Sequence, residues 1–148
     1  MLNGLAQEKI APPIAALRRN ALPREGKRRW TINGDFVALA PTGVARYATE
    51  VTAALDRLVE EGHPLTRGLH LDVVAPRPWT GSGAPKALAV RVVPEFARPR
   101  LPQFWVQAQL PRHVPGGLVS FCNLAPVMPR RHIVCIHDLH TRLSPRSP

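Results

Sequence analysis

The longest regular pattern in the chain lies between residues 44 and 61. There Val44, Tyr47, Ala48, Val51, Leu55, Leu58 and Val59 recur every three or four positions. That spacing gathers them into one apolar stripe and predicts an amphipathic helix. Arg46 with Glu50, and Arg57 with Glu61, stand as i,i+4 partners on the opposite face. Thr42 is placed to cap the first turn, and Gly62 followed by Pro64 supplies a stop. Short apolar runs flank this helix. Residues 30–36, 69–75, 87–93, 118–121 and 132–136 read as strands, with Pro76 and Pro94 ending the second and third. Residues 101–110 give a weaker helical pattern, with Phe104, Trp105 and Ala108 on one side. Strands interleaved with helical patterns predict an α/β layered sheet, largely parallel. No internal repeat interrupts that reading.

Composition narrows the picture. A chain of 148 residues has room for one domain with a real core. Its 17 prolines imply many stiff loops. Residues 1–28, with Pro12-Pro13, Pro23 and the start of the basic cluster Lys27-Arg28-Arg29, read as a disordered extension; residues 29–148 read as the domain. No apolar run approaches the roughly 20 residues that span a bilayer. The first residues also lack the apolar core of a secretory signal. The cytoplasm is therefore the expected address, with the inner face of the membrane as an adjunct.

The net charge of +10 is unevenly spread: +5 in residues 1–29, −3 in 30–72 and +8 in 73–148. Seventeen of the twenty basic residues are arginine, a bias that codon composition produces as readily as a binding surface. Zinc-ligand spacing, an aromatic-glycine RNP pattern and a basic heptad helix are all missing, so nucleic acid is a disfavoured partner. A basic face suits peripheral contact with anionic lipid head groups better. Cys122 and Cys135 have no CxxC partner and read as reduced core residues. The six histidines are scattered, and no set of metal ligands is expected.

Three places carry chemistry. Thr42-Gly43-Val44 follows a strand and opens a helix, where backbone N–H groups and the helix dipole favour a phosphate. Gly43 either lets the backbone approach that phosphate or merely permits a tight turn. Arg46 lies one turn in, on the polar face, either solvated or reaching toward the same anion, while Tyr47 reads as core. His137-Asp138 stands beyond the last strand. A histidine there can exchange a hydrogen bond with a sugar hydroxyl near neutral pH, whereas Asp138 alternatively caps a turn. Asn123, in the loop after the fourth strand, either lines a cleft or holds its own turn. Loops at the carboxyl ends of parallel strands are where ligands sit, so the expectation is one shared cleft.

In order along the chain, four stretches resemble the first domain of glycosyltransferase family 4. They are Ile32-Asn33-Gly34 with Thr42-Gly43-Val44-Ala45-Arg46-Tyr47; Phe104-Trp105-Val106-Gln107-Ala108-Gln109-Leu110-Pro111; Ser120-Phe121-Cys122-Asn123-Leu124-Ala125-Pro126; and Ile133-Val134-Cys135-Ile136-His137-Asp138-Leu139. The resemblance runs from about Trp30 to Leu143. It implies the Rossmann-like N-terminal half of a GT-B fold, here incomplete at its C-terminal end. It implies a retaining transferase that moves a sugar from a nucleotide-sugar to a glycan or lipid-linked acceptor, in polysaccharide biosynthesis, without metal or other cofactor. By the same resemblance Gly43, Val44 and Arg46 belong near the donor diphosphate, His137 and Asp138 near the transferred sugar, and Asn123 on the acceptor side.

The paired glutamates and basic residues that grip the donor in that family belong to a second domain. Past Asp72 only Glu95 and Asp138 are acidic. The chain is therefore expected to be a truncated enzyme, inactive alone, needing a donor-domain polypeptide as partner, and to leave an exposed sheet edge. The contrasting expectation is a non-catalytic α/β binding or interaction module that kept the fold.

Overall fold

A computed structural model describes residues 28–81, 83–95, 102–127 and 131–137. Its centre is a five-stranded sheet built from β1 (Arg28–Asn33), β2 (Leu69–Ala75), β3 (Ala89–Val92), β4 (Gly117–Ser120) and β5 (His132–Val134). The spatial order is β3-β2-β1-β4-β5, and every neighbouring pair is parallel. The chain first adds strands on one side of β1, then crosses over and adds β4 and β5 on the other. The architecture is thus α/β and Rossmann-like, with an all-parallel rather than largely parallel sheet.

The helix α1 (Gly43–Glu60) joins β1 to β2 and covers one face. Thr42 caps it as expected, its hydroxyl oxygen accepting from the Ala45 N–H at 3.2 Å. At the other end Gly62 takes φ +62°, and the N–H groups of Gly62 and His63 donate back to the Val59 and Leu58 carbonyls. That pair of bonds closes the helix in the Schellman manner, which only a residue tolerant of positive φ allows. The inward stripe holds Ala45, Ala48, Thr52 and Asp56, packed with Val44, Val51, Leu55 and Val59 against Ile32, Val73 and Phe121. Small residues at the contact let α1 lie close to the sheet.

Asp56 is buried, and its carboxylate accepts from three backbone N–H groups: Lys86 at 2.9 Å, Ala87 at 2.8 Å and Leu88 at 2.8 Å. A buried carboxylate needs such partners to offset its lost hydration. The i,i+4 pairs expected on the outer face do not form. Among the described residues the one ion pair joins Arg91 to the buried Asp72 at 2.9 Å, and Asp72 also accepts from the Thr31 hydroxyl at 2.7 Å. Exposed pairs contribute little, so their loss is cheap.

The opposite face is covered by a helical run, α2, which begins as an α-turn (Pro102–Phe104), widens to π (Trp105–Gln109) and tightens to 3-10 (Leu110–His113). Its buried side is Trp105, Val106, Gln109 and Leu110, packed on Val74 and Leu118, while Phe104 is exposed. The wide turn shifts the helical period, so of the Phe104–Trp105–Ala108 side expected from a 3.6-residue repeat only Trp105 is fully buried, while Ala108 is half-buried and Phe104 exposed. The Trp105 indole N–H donates to the Val93 carbonyl at 2.7 Å, and Gln107 clamps the loop after β4 by bonding Ala125 and Val127.

The strand read at residues 30–36 begins and ends earlier. β1 starts at Arg28, which pairs with Leu69, and stops at Asn33. There the Asn33 side-chain oxygen accepts from the Asp35 N–H at 3.2 Å, forming an Asx turn, and Asp35–Ala38 winds into 3-10. Gly34 lies so close to β2 that a Cβ would stand 2.8 Å from the Val74 carbonyl oxygen. No helix among the described residues is long and apolar enough to cross a membrane.

Candidate functional site

The strand order reverses between β1 and β4, and their carboxyl ends splay the loops apart there. Crevices at such a point are where open α/β sheets take ligands. Asn33 ends β1 and Ser120 ends β4. Within the sheet edge, the Asn33 amide donates to the Ser120 hydroxyl at 3.2 Å, and Ser120 Oγ meets His132 Nε2 at 3.1 Å. This polar relay ties β1, β4 and β5 together beneath the crevice. Burial holds the His132 pKa below its ordinary value, so its ring is neutral at pH 7.

His137 and Asn123 are brought together. The His137 N–H donates to Asn123 Oδ1 at 2.8 Å, and the His137 ring Nε2 donates to the Phe121 carbonyl oxygen. A carbonyl is an acceptor only, so Nε2 carries a proton, and in the neutral tautomer that fits this contact Nδ1 is the acceptor. Asn123 thus positions His137 through the backbone rather than standing free in the crevice.

Tyr47 departs from its expected core role. It is 44% exposed, and its ring meets the His137 ring edge-on, with centroids 4.8 Å apart. Here α1 overhangs the end of the sheet, so a residue in phase with the apolar stripe finds His137 instead of a strand. Cys135 lies near the Tyr47 hydroxyl, and its charge is the main reason the Tyr47 pKa is raised.

Gly43 and Val44 open α1. As first-turn residues their N–H groups have no intrahelical acceptor, and Tyr47 lies about 6 Å further along the axis. Gly43 is not among the positive-φ glycines, and a Cβ there would meet nothing within 4 Å. The turn therefore does not require glycine. Arg46 is exposed and points along a different flank of α1, so it does not join His137. Asp138 lies outside the described residues.

Asp35 belongs to this end of the sheet and carries no sequence motif that marks it. One carboxylate oxygen is buried with no hydrogen-bond partner. Burial pushes its pKa up to about 6, against the lowering effect of hydrogen bonds from Phe36, Cys122 and Asn33. The Cys122 thiol is pushed up to about 12 by burial and by the Asp35 charge, which makes it a poor nucleophile. Among the described residues no cluster of His, Cys, Asp or Glu could hold a metal ion.

On the other flank of α1 lies a groove of about 830 Å³, walled by Phe36, Leu39, Pro41, Pro78 and Trp79, bearing Arg46 and Arg77 and reaching Gly43 at the opening of α1. Only the fold reveals it, because Arg77 and Trp79 follow β2 while Arg46 is in α1. The chain matches no family model, no curated protein and no solved structure.

Proposed function

We propose that this chain is the acceptor-side, Rossmann-like unit of a retaining glycosyltransferase resembling family 4, acting on a nucleotide-sugar and a glycan or lipid-linked acceptor in polysaccharide biosynthesis. The observation that carries the reading is the contact of the His137 ring with Tyr47 of α1 beside the strand-order reversal, one helical turn on from Gly43 and Val44. His137 Nδ1 accepts a hydrogen bond from a hydroxyl of the transferred sugar, while Tyr47, Asn123 and Phe121 hold the ring in place. The N–H groups of Gly43 and Val44 and the α1 dipole face the diphosphate and stabilise its charge as the sugar leaves. Asp138 retains its proposed place beside the sugar. A second Rossmann-like unit, in the same or another polypeptide, grips the nucleotide.

Titrating the isotopically labelled chain with uridine and guanosine diphosphate sugars tests this. The expected result is weak binding, about millimolar, that shifts the Gly43 and Val44 amides and the His137 ring signals together. An unchanged spectrum at those three residues for every donor tried would overturn it.

One observation favours a second reading. The His137 ring already bonds the Phe121 carbonyl, as a purely structural histidine would. A non-catalytic glycan-binding module accommodates that equally, and glycan binding without any donor-induced shift is its signature.

A further inference from the structure

The groove between α1 and the loop after β2 is chemically one-sided. Two guanidinium groups reach it, Arg46 and Arg77, and its lining contains no carboxylate. Arg46 has no ion pair among the described residues. Arg77 is fixed in place by donating from Nε to the Val37 carbonyl at 3.0 Å, which leaves its terminal nitrogens for another acceptor. Thr42, Thr49 and Thr80 add hydroxyl-bearing side chains to the lining. The rest of the wall is apolar. Trp79 is half-buried and held edge-on by Phe36, with ring centroids 5.2 Å apart and planes at 85°.

A fixed indole beside two uncompensated guanidiniums is complementary to a ligand with an anionic head and an apolar body. Arginine in particular suits the paired oxygens of a phosphate. Thr49 and Arg46 face this groove while Tyr47 faces His137, so the two places lie on either flank of the same stretch of α1, with Gly43 at its opening on the groove side.

We propose that this groove binds a phosphate ester of an apolar group, its phosphate between Arg46 and Arg77 and its apolar part along Trp79 and Leu39. If the transferase reading holds, on which this last step alone rests, the ligand is the acceptor: a lipid-linked phosphate rather than a neutral glycan. Binding itself requires no donor.

The test uses octyl phosphate, octyl glucoside and inorganic phosphate, each below micelle-forming concentration, followed by the Trp79 indole N–H and the Thr49 amide. Octyl phosphate is expected to shift both signals and to bind at least about tenfold more tightly than either of the others. Arg46→Gln, an exposed position that leaves the fold intact, is expected to weaken octyl phosphate about tenfold and leave octyl glucoside unchanged. Equal binding of octyl glucoside would overturn the anionic half of the proposal. Equal binding of inorganic phosphate would overturn the apolar half, leaving a free-anion site. Silence at Trp79 with intact nucleotide-sugar shifts at the His137 ring would remove the groove and spare the transferase reading; the reverse pattern would spare the groove alone.

Discussion

The ring of Tyr47 meets the ring of His137 edge-to-face, with centroids 4.8 Å apart and planes 77° from parallel. Such pairs contribute roughly 0.5–1.5 kcal/mol beyond their buried area. Tyr47→Ala is therefore expected to cost about 1 kcal/mol in urea unfolding and to move the His137 ring proton signals by removing the ring current. Tyr47→Phe keeps the ring and loses only the hydroxyl, so its His137 signals should stay near the parent position. A His137 spectrum indifferent to both variants would mean the rings do not meet in solution.

Gly43 separates fold from ligand. Its backbone suits any residue, and a Cβ there meets open space. Gly43→Ala is expected to leave stability unchanged or raise it by up to about 1 kcal/mol, because alanine is the better helix former. The same substitution should abolish nucleotide-sugar shifts at Val44. Retained binding would show that the anion does not approach the backbone at this point.

Gly34 is the opposite case. A Cβ would press on the Val74 carbonyl and the Ala75 side chain, at 2.8 and 2.9 Å. The Gly34 N–H also donates to that carbonyl at 2.7 Å, so β1 cannot easily retreat. Gly34→Ala should destabilise by about 1–3 kcal/mol, by analogy with overpacked cores. A midpoint in urea equal to the parent's would place the β1 end elsewhere.

Asp35 gives the pH dependence a definite sign. Its folded pKa, about 6, is above the ordinary carboxylate value of 3.8. Between those values the folded chain holds a proton that the unfolded chain has released. Stability attributable to this group is therefore greatest at low pH and declines as pH rises toward 6, by an amount on the order of 2–3 kcal/mol. His132, with its lowered pKa, acts in the other direction, losing stability as pH falls through its ordinary value of 6.5. The clean readout is the parent minus Asp35→Asn difference across pH 4 to 7, which should slope downward and flatten above about 6. A flat difference would mean that the carboxyl is solvated.

Local pattern carried much of this fold. The α1 cap, its glycine stop and the whole of β2 are fixed by neighbours in sequence, and they were legible there. What lay hidden depends on partners far along the chain. Asn33 and Ser120 are 87 positions apart, and Asp56 answers amides 30 positions away. The same limit governed the site. His137 and Asn123 could be singled out by their places after strands, but Tyr47 shares its period with core residues and only the overhang of α1 brings it to His137. The groove joins two loops that no periodicity relates.

The three bonds to Asp56 have a consequence for motion. Lys86, Ala87 and Leu88 lead directly into β3, an edge strand of four residues, and their amides are held by a carboxylate on α1. The helix cannot lift from the sheet without releasing them. Hydrogen exchange at these amides should then follow the opening of α1, making helix and edge strand a single cooperative unit despite the chain that separates them.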